Sequence, residues 1–281
     1  MYNNSLERSI SWLQHHRRLN VAIVGVYFLL VVLPHEVIGS LIHRMLFRGS
    51  VPGYNISFML VMCGLAIVCL IPFVKCLLAR TPPLRTLLGL VLVAGLMITS
   101  YMTLMVLATE TIHFIQYALL GFLLYPLLQN TTETLVLATG LGCVDEAYQY
   151  FWLDAGNLGY LDFNDMILNC VGVGLGLLVL RVCDIQDRPE RRTKIRSATW
   201  IFLAALALCL AILNVAGVWS VYLPDDGSRV AVVLVQDPPV EYWTAFYERM
   251  FHIVQPAEAI LILLPMLLAF HFILMRRGSE S

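Results

Sequence analysis

Eight apolar runs, each close to the length of a membrane-crossing helix, divide this chain of 281 residues, and no other feature restricts its fold so tightly. They lie near 19–34, 56–78, 86–108, 111–128, 132–152, 165–183, 199–219 and 257–275. About 20 apolar residues suffice to cross the hydrocarbon core as a helix. In lipid only helices and closed barrels satisfy every backbone donor and acceptor, and these runs are continuous rather than alternating, which speaks against a barrel. Charged residues make up 13% of the chain, against about 25% in soluble domains. The expected fold is therefore all-α, a polytopic membrane bundle of about eight transmembrane helices.

Positive charge assigns sides. Arg8, Arg17 and Arg18 precede the first run; Lys75, Arg80 and Arg85 follow the second; Arg188, Arg191, Arg192, Lys194 and Arg196 follow the sixth; Arg276 and Arg277 follow the last. All of these fall on one side if both termini are cytoplasmic and the chain crosses the cell membrane eight times. Arg44 and Arg48, in the first outer loop, mildly oppose this. The expected organisation is a basic amphipathic lead at 1–18 and a single membrane domain at 19–281, with an outer loop at 220–256. In that loop Arg229–Gln236 reads as a strand. Trp243, Phe246, Tyr247, Met250, Phe251 and Val254 recur at helical spacing, which reads as an amphipathic helix, lying in the interface or equally well packed over the mouth of the bundle. The run 37–47 reads as a helix that lies on the membrane or dips into it.

Leu19–Leu33 after two arginines resembles a secretory leader, but Leu33-Pro34-His35-Glu36 is no cleavage site, so the reading is a retained first helix. The seven cysteines are scattered through apolar runs and read as small buried hydrophobes, not as a disulfide frame. No glycine-rich phosphate loop is present, and a net charge of −1 gives no reason to expect a nucleic-acid partner. The expected partner is the lipid bilayer.

The fourth to sixth runs carry polar residues where they are costly, by about 2.5–3.5 kcal/mol for a charge at the helix centre. Glu110, His113 and Tyr117 are spaced i, i+3 and i+7, on one helix face. Asp145, Glu146 and Gln149 stand near the end of the fifth run. Asp162, Asp165, Asn169 and Gly172 open the sixth. The alternating topology brings all three groups to the outer end of the bundle, and Gly140, Gly142, Gly172, Gly174 and Gly176 permit close helix approach. Asp162 or Asp165 could alternatively do no more than cap a helix. Glu146 and His113 are hardest to explain that way.

Three segments carry a family resemblance: Glu110-Thr-Ile-His113-Phe-Ile-Gln-Tyr117, Asp145-Glu146-Ala-Tyr-Gln149 and Asp162-Phe-Asn-Asp165-Met-Ile-Leu-Asn169-Cys-Val-Gly172. Over about residues 90–183 the chain resembles the VanZ-like membrane proteins, a family associated with teicoplanin (glycopeptide) resistance. The chain departs from the family pattern at Gly159, where an arginine is expected. The resemblance implies an outer-facing site that acts on or binds a cell-envelope or lipid-linked substrate. Within it, His113, Glu146 and Asp165 are the catalytic candidates, His113 as acid/base, while Glu110, Tyr117, Gln149, Asp162 and Asn169 are the substrate-binding candidates. Arg44, Arg48, Arg229 or Arg249, or a divalent metal ion on Glu146, Asp162 and Asp165, could supply the charge missing at Gly159. The alternatives are a non-catalytic accessory or binding protein, or a proton-coupled transporter. The last ranks lowest because no matching polar cluster is evident at the inner end.

Overall fold

The computed structural model describes residues 3–32, 41, 45, 51–79, 82–153, 161–185, 187, 195–222, 231–234, 243–246 and 249–275. Each of the eight apolar runs carries a helix. An amphipathic helix α1 (Asn3–His15) precedes α2 (Arg17–Val32), α3 (Val51–Ala79) and α4 (Leu84–Thr103). A 3-10 turn (Ala108–Thr111) leads into α5 (Ile112–Leu128), followed by α6 (Thr131–Tyr148), a π turn (Gln149–Leu153), α7 (Phe163–Val182), α8 (Ser197–Val215) and α9 (Pro256–Leu274). The all-α expectation holds. Among the described residues five helical segments are long and apolar enough to cross a membrane: 84–103, 108–128, 163–182, 197–215 and 256–274. The run 37–47 (apart from residues 41 and 45), Asp154, Gly159 and the cations Arg44, Arg48 and Arg229 lie outside the described residues.

α1 buries Ile10 and Leu13, while His15 and His16 turn their Nδ1 atoms back onto the carbonyls of Ser11 and Trp12. The bundle is built around α7. Of its apolar stretch 78% is buried inside the protein, against 6% for α8, and it packs on α4, α5, α6 and α9. The α5–α7 contact is closest. A Cβ on Gly172 would stand 2.8 Å from the Phe114 carbonyl oxygen and 2.9 Å from that of His113. The glycines of α7 therefore set the distance at which polar groups on α5 and α7 meet.

The segment after α8 departs from expectation. Two antiparallel hairpins form, β1 (Trp219–Tyr222) with β2 (Ala231–Leu234) and β3 (Trp243–Phe246) with β4 (Arg249–His252). The strand expected at 229–236 is present as β2. The amphipathic helix expected from Trp243 to Val254 is replaced by β3–β4. Its residues fit a helical period, but they also alternate: Trp243 and Met250 are exposed on one face of the pair while Phe251 is buried on the other. Aromatic content favours the strand, and the Trp243 and His252 rings, directly opposed across it, lie 5.0 Å apart.

Asn164, in the first turn of α7, fastens this hairpin to the bundle. Its amide donates to the carbonyls of Leu104 at 2.9 Å and His252 at 2.7 Å and accepts from Val254 N–H at 2.9 Å. Each buried backbone group left unpaired costs about 1–3 kcal/mol. Asn164→Ala is expected to lower the thermal midpoint of the detergent-solubilised protein by several degrees, read by intrinsic fluorescence.

The end of the bundle holding the α5–α6 turn is also polar, which overturns the expectation that it carries no matching cluster. Arg181 pairs with Asp187 at 2.9 Å and donates to Thr131 Oγ1 at 2.8 Å, and Asp187 accepts from both the Thr131 N–H and its hydroxyl. Glu133, fully buried, accepts from Thr199 Oγ1 at 2.7 Å and the Arg196 N–H at 3.1 Å. Arg196 in turn donates to the Leu127 carbonyl at the C-terminus of α5. These groups pair with one another and lock the α5–α6 turn to α7 and α8. Removing one partner of a buried pair costs about 3–5 kcal/mol, so Asp187→Ala should unfold the protein at markedly lower temperature in the same assay.

Candidate functional site

The second polar cluster lies at the other end of α5, α6 and α7. His113 and the α5–α6 turn at Leu128 are 15 residues apart, about 22 Å at the helical rise. His113 stands in the first turn of α5, Asp145 and Glu146 in the last turn of α6, and Asp165 and Asn169 in the first two turns of α7. His113, Asp145, Glu146 and Asn169 are all at most 3% exposed, whereas the Asp165 side chain keeps 14% of its surface.

One hydrogen-bond chain orders the cluster. Asn169 donates its amide N–H to Glu146 Oε1 at 2.7 Å. Its carbonyl oxygen is then the atom that meets His113 Nδ1, at 2.8 Å, so Nδ1 carries a proton and donates. Nδ1 is thereby engaged, which leaves Nε2 to face Asp165 Oδ2 at 3.3 Å, an ion pair when the ring is protonated. Gln149, first residue of the π turn, donates to Asp145 Oδ1 at 3.1 Å and Glu146 Oε2 at 3.4 Å. Tyr117 donates its hydroxyl to Asp145 Oδ2 at 2.7 Å. Gly142 makes room for this: a Cβ there would stand 3.0 Å from Asn169 Cβ and 3.1 Å from the Tyr117 ring.

Two of the candidates sit at the rim. Glu110 accepts the Val106 and Leu107 backbone N–H groups with its carboxylate and closes the turn before α5. Asp162 caps α7 by accepting the Asp165 N–H at 3.2 Å. Burial, with the negative charge of Asp165 adding to it, holds the Asp162 carboxyl well above the usual carboxylate range, against the pull of that N–H. Asp162 and Glu110 thus bond to backbone N–H groups of their own turns, whereas His113, Glu146 and Asp165 face one another across three helices.

The metal-ligand set differs from the one expected. His113, Glu146 and Asp165 each offer a donor atom, and these atoms lie within 4.8 Å of one another; among the described residues they form the one such group. Asp162 is not part of it, and an imidazole takes its place. The sequence pattern pointed to every member of the cluster. It did not point to Asn164, whose role is to hold the rim in place and which carries no charge to attract notice.

A family model described as VanZ/LLP1 matches residues 22–184, more than half of the chain and a longer stretch than the three motifs span. No curated protein matches, and no solved structure does.

Proposed function

The chain belongs to the VanZ/LLP1 family, and from that premise we propose that it is a multi-pass protein of the cell membrane whose outer-facing pocket receives the polar end of a lipid-linked cell-envelope substrate and acts on it. In this reading α2 to α9 cross the bilayer, both termini are cytoplasmic, and the Arg181–Asp187 and Arg196–Glu133 pairs face the cytoplasm. The observation that carries the reading is the convergence of His113, Glu146 and Asp165 from three helices, the first two buried and all three with donor atoms mutually within 4.8 Å. Buried ionisable groups at membrane depth are costly and mark working sites.

His113 Nε2 is the working atom. Asp165 supports it, Glu146 orients the Asn169 amide behind it, and Gln149, Tyr117 and Asp145 line the neighbouring wall. Glu110 and Asp162 border the opening and contact the substrate's polar end. Resistance to a glycopeptide such as teicoplanin is the cellular consequence this reading carries, through an altered pool of envelope precursors.

The test is a bacterial strain made dependent on this chain for a measured change in glycopeptide sensitivity or envelope lipid composition. His113→Ala, Glu146→Gln and Asp165→Asn, each at unchanged protein level, should abolish the change. If all three retain it, the pocket is not the working site. A pattern in which Glu146→Gln and His113→Asn retain the change while bulky substitutions at Gly142 remove it favours the accessory reading, in which the pocket binds without chemistry.

A further inference from the structure

We infer that His113, Glu146 and Asp165 hold one divalent transition-metal ion, Mn²⁺ or Zn²⁺ in class, through His113 Nε2 and one oxygen of each carboxylate. The inference rests on the reading that this pocket is the working site, and it assigns the imidazole the part of a ligand. Three observations carry it. First, the donors come from α5, α6 and α7, elements held together by contacts outside the cluster, so their approach to within 4.8 Å is imposed by the bundle rather than by flexible side chains. Second, the histidine is oriented in advance. A metal-bound imidazole presents one ring nitrogen to the ion and donates the other N–H to a fixed acceptor. His113 Nδ1 donates to Asn169 Oδ1 at 2.8 Å, and Asn169 is fixed in turn by its 2.7 Å bond to Glu146. Nε2, once it gives up any proton to an incoming ion, is thereby the ring nitrogen turned toward Asp165. Third, a neutral imidazole and two carboxylates carry two negative charges, which one divalent ion cancels, and buried charge is retained only where it is paired.

The donor set narrows the ion. One nitrogen and two hard oxygens suit Zn²⁺, Mn²⁺ or Fe²⁺ better than Mg²⁺ or Ca²⁺, which take oxygen shells. Three protein ligands leave at least one position open, the pattern of a catalytic rather than a structural site. The open position would take a water or a phosphate oxygen of a lipid headgroup. Asp165 is the most exposed of the three side chains, so the cluster is approached from its side.

The experiment uses the full chain purified in detergent, stripped with chelator and reloaded with Mn²⁺ or Zn²⁺. Elemental analysis after gel filtration should find about one ion per chain. Electron spin-echo spectra of the Mn²⁺ form should show coupling to one imidazole nitrogen, a readout that needs no variant. His113→Ala and Asp165→Asn should each hold less than about a tenth of the wild-type metal, while Cys209→Ser, an exposed control, should keep it. No bound ion in the wild type, no nitrogen coupling, or full loading of both His113→Ala and Asp165→Asn would overturn the inference. The proposed function fails separately, through retention of the cellular change by the same variants whether or not metal is bound.

Discussion

Gly176→Ala is expected to yield little or no folded protein. The added Cβ would meet the Ala118 carbonyl oxygen inside any contact distance, with the Ala118 carbonyl carbon and Cα both at 2.9 Å. All three atoms are backbone of α5, so no rotamer change relieves the clash. α5 and α7 would have to move apart along the contact on which the bundle is built. Overpacking of a core costs about 1–3 kcal/mol where side chains can adjust; here they cannot, and the cost falls at or beyond the top of that range. The comparison is Gly95→Ala on α4, where a Cβ meets nothing within 4 Å. Side-by-side yield, gel-filtration profile and thermal midpoint of the two variants measure the difference. Gly95→Ala should resemble wild type, and a Gly176→Ala protein equally well folded would mean that the helices are not packed as described.

The same glycines separate what was legible in the sequence from what was not. Long apolar runs allow one local structure in lipid, so a helix stands at each of the eight expected positions. The polar face of α5 was legible because Glu110, His113 and Tyr117 repeat with the helix, and the contributions of α6 and α7 followed from alternating direction alone. Sequence did not reveal the pairing within the cluster. Asp162 and Asp165 are equivalent as ligands by spacing, and only the fold shows Asp162 committed to the α7 N-terminus and His113 turned toward Asp165. The β3–β4 hairpin was missed because Trp243, Phe246, Met250 and Phe251 satisfy both periods, and the choice is made by cross-strand pairing. The Arg181–Asp187 and Arg196–Glu133 pairs were missed for another reason. Each partner alone looks like a loop or helix-end charge, and the links across 6 and 63 residues form only when α6, α7 and α8 are assembled.

Asn169→Ala should disable the site while leaving its ionisable groups in place. Asn169 is fully buried and makes two bonds, one to each side of the cluster: Nδ2 to Glu146 and Oδ1 to His113. Without it Glu146 loses its 2.7 Å donor and His113 Nδ1–H loses its acceptor, so the imidazole is free to flip and withdraw Nε2 from Asp165. Loss of such a supporting partner lowers metal affinity about 10–100-fold, and the orphaned buried groups cost about 1–3 kcal/mol each in stability. The two effects separate experimentally, because a purely structural asparagine would lower the thermal midpoint and leave the affinity of the folded fraction unchanged. Asn169→Asp sharpens the distinction. A carboxylate there still accepts from His113 Nδ1 and holds the tautomer, but it meets Glu146 as a like charge. The nitrogen coupling of bound Mn²⁺ should therefore survive in Asn169→Asp and disappear in Asn169→Ala, with weaker binding in both. Glu146→Gln added to Asn169→Ala should cost less than the sum of the single changes, because the two residues share one bond. Additive losses would mean that Asn169 acts on His113 without Glu146, and that the ordered chain from carboxylate through amide to imidazole is not what holds Nε2 in place.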